Sequence, residues 1–315
     1  MHTLFSVGLR PFFLLAGLSG TLSMLGWLGW LGWDIAILRF GPGAETVSAV
    51  AWHGHEMIFG FAAAVIGGFM LTAVPNWTAS KPLSGAPLAA LAVLWLAGRA
   101  VMWLPGSIPP AVVALVDLAY LPALGVFLGS TLIRARAFRN MIIMVLLAIL
   151  FAANLMFHLE ATRFAATDDL ARDGILMGVN LVVLLITIIG GRIIPAFTGN
   201  WLRANGKDAL IRPPGKLDAL TIAVTAIFLI AELVMPESRT AGGVALIACL
   251  LHLARMTGWQ CHKTLSSPIM WVLHLGYGWL VAGFALKAVA LLTGALPSSV
   301  AMHALTAGAV GTITL

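Results

Sequence analysis

Long apolar stretches recur along the whole chain, separated by short breaks rich in charge, proline or glycine. Reading between the breaks predicts helices at 11–33, 50–74, 86–104, 111–133, 140–159, 174–194, 217–235, 241–257, 269–292 and 299–315. A bilayer core of roughly 30 Å is crossed by about 20 apolar residues in helical conformation. The pattern therefore predicts an all-α fold, a polytopic transmembrane helix bundle of about ten spans, with residues 1–315 forming a single transmembrane domain. The first stretch begins at Pro11 after a short head without a small-residue cleavage site, so it reads as a retained span and not a signal peptide.

Composition strengthens this reading. Of the 315 residues, 60% are hydrophobic and 10% charged, with a mean hydropathy of +0.99. A water-facing domain carries about a quarter charged residues. The net charge of +6 would suit a polyanion partner if it were clustered, but it follows the loops. Twelve Lys or Arg fall in loops on the N-terminal side, among them Arg10, Lys81, Arg134, Arg203 and Lys263. Four fall opposite: Arg39, Arg163, Arg172 and Arg239. By the positive-inside rule the N-terminus is expected in the cytoplasm, and no nucleic-acid site is implied. Trp27, Trp30 and Trp33 close the first span where an aromatic interface belt would lie. Gly26, Gly29 and Gly32 beside them suit close helix packing. Cys249 and Cys261 form no CxxC and say nothing about redox compartment.

An internal repeat is visible. The second span ends Gly67-Gly68 before Pro75-Asn76-Trp77, and the sixth ends Gly190-Gly191 before Pro195 and Asn200-Trp201. His55 precedes Gly60 by five residues, His303 precedes Gly308 by five, and Asp173 precedes Gly178 by five. Equivalent points lie roughly 120 to 130 residues apart, four spans each. The repeats would be 1–138, 139–267 and 268–315, the third incomplete. Three four-helix units make twelve spans, so the sequence, which stops inside an apolar run, is expected to be C-terminally truncated.

Ionisable groups inside a bilayer cost roughly 2.5–3.5 kcal/mol each on insertion scales and call for a reason. His53, His55 and Glu56 open the second span at its outer end. His158 sits near the outer end of the fifth, with Asn154 one turn deeper, and His303 lies one turn into the tenth. Asp173 begins the sixth at the same level, while His252 and His274 sit nearer the cytoplasmic face. Imidazoles converging from several helices suit a haem, a copper or both. A single histidine near an interface is more often a hydrogen-bonded packing residue; for four at one depth the two readings stand level. His53 and His55 are about 200° apart on a helix and cannot both face one partner, whereas His53 and Glu56 share a face.

The other charges have simpler readings. Arg99 and Asp117 lie on adjacent spans at similar depth, which favours an ion pair across the hairpin. Lys287, near an outer end, would snorkel. Arg192, between Gly190-Gly191 and Pro195, would mark a helix break and anchor topology. Tyr277, one turn from His274, is placed to bond there.

Four blocks carry a resemblance: Arg10-Pro11-Phe12-Phe13, Trp52-His53-Gly54-His55-Glu56-Met57, Ala73-Val74-Pro75-Asn76-Trp77-Thr78 and Gly190-Gly191-Arg192-Ile193-Ile194-Pro195. With these in register, the sequence closely resembles the NnrS family over essentially its whole length. The resemblance implies a bacterial inner-membrane protein with haem, of b type, and copper, linked to nitric-oxide metabolism and nitrosative stress. It also implies twelve spans in a complete protein. Any enzymatic activity would be that of a membrane oxidoreductase, acting on nitric oxide or a metal-nitrosyl species and needing an electron donor that the sequence does not identify. Two other classes stay open: a small-molecule or ion transporter, and a non-catalytic membrane partner of a respiratory complex.

Depth, spacing and motif membership together give the candidate residues. Cofactor binding is assigned to His53, His55, His158, His274 and His303, with a metal on His53, His55 and His303. Glu56, Asn154, Asp173, Arg192 and Tyr277 are candidate partners behind them.

Overall fold

The computed structural model describes residues 3–31, 48–104, 108–164 and 169–314. Trp33 and Gly32 of the expected interface region lie outside them. The described residues form helices joined by turns and loops and contain no strand, an all-α polytopic bundle. In chain order the helices are α1 (Leu9–Trp30), α2 (Ala49–Thr78), α3 (Ala86–Trp103), α4 (Pro110–Arg134), α5 (Phe138–Ala161), α6 (Leu170–Ala204), α7 (Lys216–Val234), α8 (Arg239–Thr257) and α9 (Pro268–Thr293). These nine are long and apolar enough to cross a membrane. The tenth predicted run forms a shorter helix, α10, made of Ser298–His303, Ala304–Val310 and Gly311–Thr314 in unbroken succession.

The chain divides into two compact units, Met1–Gly178 and Val179–Leu315. In the first, α2 is the central helix, with 78% of its apolar window buried, and it packs against α1, α3 and α4. α1 lies along it because Gly68 of α2 leaves room for Phe12, which is fully buried. The other side of α1 presents Leu14, Leu18 and Leu22, each more than half exposed. A stripe of leucine at this spacing belongs against lipid tails and not water. Gly26 of α1 seats the rings of Trp52 and Trp103, the close approach its lack of a side chain permits. Trp52 is in turn tied to α3 by its indole N–H, which donates to the Met102 carbonyl at 3.0 Å.

In the second unit α8 packs between α7 and α9, and α10 packs on α9. Glycines again set the spacing: Gly242 of α8 meets Leu291, Gly283 of α9 meets Leu305, and Gly308 of α10 meets Trp279. α6 runs without interruption through Pro195 to Ala204, so the break expected beside Arg192 is not there. A proline lacks one backbone donor, yet a long, well-packed helix carries it, as α2 carries Pro75.

Two helices depart from α geometry in the same way. In α2 the seven residues Glu56–Ala62 form a π-helical turn. In α10 the seven residues Ala304–Val310 do so. Each turn begins immediately after a histidine, His55 or His303. π-turns inside α-helices are rare and concentrate at functional sites.

Candidate functional site

The π-turn places the first unit's chemistry. In a regular α-helix, consecutive residues point about 100° apart. At the start of the widened turn, His55 and Glu56 are both wholly buried and both reach one polar cluster. α3 contributes Arg99, α4 contributes Asp117, and α5 contributes Asn154 and His158, which share a face at i and i+4. Two glycines make room. Gly60 of α2 lies where a side chain would collide with the Arg99 guanidinium, and Gly98 of α3 lies against Asp117.

Arg99 bridges the two carboxylates, donating to Glu56 Oε1 and to Asp117 Oδ1. The expected Arg99–Asp117 ion pair is therefore present, with Glu56 as a third member. Asp117 Oδ2 accepts from Asn154 Nδ2 at 2.8 Å and from His158 Nε2 at 2.9 Å, and lies 3.2 Å from His55 Nε2. His55 Nε2 also meets Asn154 Oδ1 at 2.9 Å, and His55 Nδ1 meets Glu56 Oε1 at 3.2 Å. The Trp103 indole donates to Glu56 Oε2 at 3.3 Å.

Both ring nitrogens of His55 thus face acceptors. A doubly protonated ring satisfies them, and with Arg99 it balances the charges of Glu56 and Asp117. A metal cation answers the same geometry in another way. His55, Asp117 and His158 each offer one ligand atom, and these atoms all lie within 4.8 Å of one another. Two imidazoles and a carboxylate suit copper or non-haem iron. Asn154 and Arg99 then hold the carboxylate, the outer hydrogen bonds that orient metal ligands.

The second unit has a different polar core. The Arg255 guanidinium of α8 rests on α6 at Gly191, where any side chain would displace it, and donates to the Thr187 carbonyl at 2.7 Å. Its Nε donates to Asp218 Oδ1 of α7 at 2.6 Å. His252 lies between Thr225 at 3.0 Å and the Tyr277 hydroxyl at 2.7 Å. His274 is anchored to Thr198 at 2.9 Å through Nε2. Thr198 gives its own hydroxyl hydrogen to the Ile194 carbonyl, so it accepts from His274 Nε2–H. That leaves His274 Nδ1 with a lone pair, buried and without a hydrogen-bond partner. An imidazole fixed from behind with its other nitrogen bare would have that nitrogen to offer to haem iron or copper.

Of the residues singled out from the sequence, the structure brings together His55, Glu56, Asn154 and His158. His53 is half-buried and stacks on Trp27 of α1, with ring centroids 4.7 Å apart. His303 is exposed and bonds the Ser299 carbonyl one turn back. Asp173 is half-buried at the start of α6, and Arg192 is exposed. Tyr277 is fully buried, bonded to His252 and not to His274. Lys287 does not snorkel. It is buried and pairs with Glu232 of α7, whose Oε2 also accepts from Asn180 at 2.5 Å. Glu232 and Asp218 were not among the residues drawn from the sequence, and Arg255, counted there among the loop charges, is buried in α8. Glu232 carried a usable signal, being an acid within the apolar run 217–235.

Nine membrane-length helices among the described residues define a multi-pass membrane protein, whose first unit holds a buried His–Asp–His group with Arg99 beside it. The family model described as NnrS protein matches residues 3–315, and the chain belongs to the NnrS family. No curated protein and no solved structure matches it.

Proposed function

We propose that this protein is a metal-dependent membrane protein of the response to nitric oxide, holding a redox-active metal ion on His55, Asp117 and His158. The observation that carries the reading is the convergence of these three ligand atoms, all buried, from three different helices. Burial of a two-imidazole, one-carboxylate set with its own countercharge is costly in a bilayer, and a bound cation offsets that cost. Copper is the metal the donor set and the family resemblance agree on. It would supply a one-electron redox couple and a coordination position for a small ligand such as nitric oxide. Arg99 holds Asp117 in its ligating orientation and neutralises Glu56, and Asn154 donates one hydrogen bond to Asp117 Oδ2.

Of the candidate histidines, His274, with its bare Nδ1 and Thr198 anchor, would be the residue to hold the haem that the resemblance implies. The charge distribution of the loops favours a cytoplasmic N-terminus, and the family resemblance implies the bacterial inner membrane. The transporter alternative leans on broken helices at repeat-equivalent positions. α2 and α6 both continue through their prolines, which weighs against it.

The test is spectroscopic. Protein expressed with copper and haem supplied, then purified in detergent, should show a copper signal by electron paramagnetic resonance that nitric oxide alters. His158→Ala and Asp117→Asn should abolish that signal and leave any haem band in place. A copper signal and nitric-oxide response unchanged in both variants would overturn the reading.

A further inference from the structure

We propose that Tyr277 is a one-electron redox site whose proton is taken by His252. The inference rests on a hydrogen-bond order that the structure fixes without reference to any cofactor. Thr225 donates its hydroxyl hydrogen to the Thr221 carbonyl at 2.8 Å. Its oxygen therefore meets His252 Nε2 at 3.0 Å as an acceptor, and Nε2 carries the ring hydrogen. His252 Nδ1 is left with its lone pair, 2.7 Å from the Tyr277 oxygen. The phenol accordingly donates to the imidazole. Arg255 reaches the same phenolic oxygen as a donor, Nη1 at 3.2 Å, so the direction of the Tyr277–His252 bond has no competitor.

A phenol that loses an electron becomes a strong acid, and its oxidation is accessible only where the proton has somewhere to go. Tyr277 is fully buried, as is His252, so solvent is not that acceptor. His252 is, across one short hydrogen bond. In the step, the Tyr277 O–H bond breaks and an N–H bond forms at His252 Nδ1. One electron leaves to an oxidised transition-metal centre or an equivalent one-electron oxidant, and the products are a neutral phenoxyl and an imidazolium. Reduction returns the electron to the phenoxyl and the proton to its oxygen. Neighbouring groups hold the pair through the exchange: Trp259 packs on Tyr277 with centroids 4.5 Å apart, and Phe284 stacks on His252 at 5.1 Å. The charge created on His252 lies beside an ion pair, Arg255–Asp218, that is itself neutral.

The chain contains its own control. It has two tyrosines, and the other, Tyr120, is buried with a hydroxyl that has no hydrogen-bond partner. The two phenols therefore differ in the one feature the proposal requires.

The experiment photo-oxidises the purified full chain with flash-generated tris(bipyridine)ruthenium(III) and reads radicals by electron paramagnetic resonance, with ring-deuterated tyrosine to identify them. An external oxidant makes the result independent of the metal site proposed above. Expected is a tyrosyl signal in the wild type and in Tyr120→Phe, lost in Tyr277→Phe, and formed more slowly in heavy water. Tyr277→Phe removes one oxygen and keeps the ring packing, so its loss of signal is not a loss of fold. A tyrosyl signal that survives Tyr277→Phe, or a wild type yielding only tryptophan radicals, overturns the proposal.

Discussion

Arg99 is the residue whose removal most directly tests the buried cluster. Its guanidinium is bonded to both Glu56 and Asp117, and both carboxylates are fully shielded from solvent. Two unit charges about 4 Å apart interact by about 4 kcal/mol at an effective dielectric of 20. Two such contacts, less the several kcal/mol needed to desolvate the guanidinium, leave a net loss of about 3–5 kcal/mol when one partner of a buried pair is removed. Arg99→Met keeps an unbranched apolar stem and deletes the guanidinium and its charge, so it should cost that much. Arg99→Lys keeps the charge but cannot bridge two carboxylates with a planar fork, and should fall between Met and the wild type. Arg99→Met combined with Glu56→Gln removes one of the two stranded acids and should recover about 1–3 kcal/mol. Unfolding in mixed micelles titrated with a denaturing detergent measures all three. Two of the 11 tryptophans whose fluorescence follows the unfolding touch the cluster, Trp103 donating to Glu56 and Trp95 lying under Arg99. If Arg99→Met lies within about 1 kcal/mol of the wild type, the cluster behaves as a solvated surface pair and the reasoning fails.

Other perturbations follow from the same contacts. Gly191→Ala places a methyl group on the Arg255 guanidinium and should cost about 1–3 kcal/mol as overpacking in the same unfolding assay. Lys287→Met strands Glu232 in the second unit and should lower the unfolding midpoint, with Glu232→Gln in the same chain restoring most of it. Thr198→Val removes the anchor of His274 and should weaken haem retention by about 10–100-fold, read by haem titration of the purified protein. Unchanged affinity there would remove His274 as the ligand.

The membrane-spanning plan is legible because a bilayer imposes a length and a polarity on each helix, and the expected spans fall on the helices to within a few residues except the sixth, which runs ten residues further, to Ala204. The Arg99–Asp117 pair is legible for a related reason: opposite charges at one depth on consecutive spans have few other partners. Grouping by depth finds His55, His158 and Asn154. Depth does not say which way a side chain points, and there the sequence falls short. His53 and His303 share the level of His55, yet one stacks on Trp27 and the other is exposed. Glu56 enters the cluster from a π-turn, a register change that regular helical spacing does not describe. Lys287 has an acid across the helix interface at Glu232, and so has no need to reach the surface. Which acid faces which base is a matter of helix rotation, set by glycine contacts such as Gly60 on Arg99 and Gly191 on Arg255.

The most direct test of the central claim is the transition-metal content per chain of protein purified from copper-replete cells, for two double variants. His55→Ala with His158→Ala removes both imidazoles of the buried triad. His53→Ala with His303→Ala removes two histidines that lie outside it. The account predicts that the first variant loses the metal bound by the wild type and the second keeps it. Loss in the second with retention in the first would contradict it.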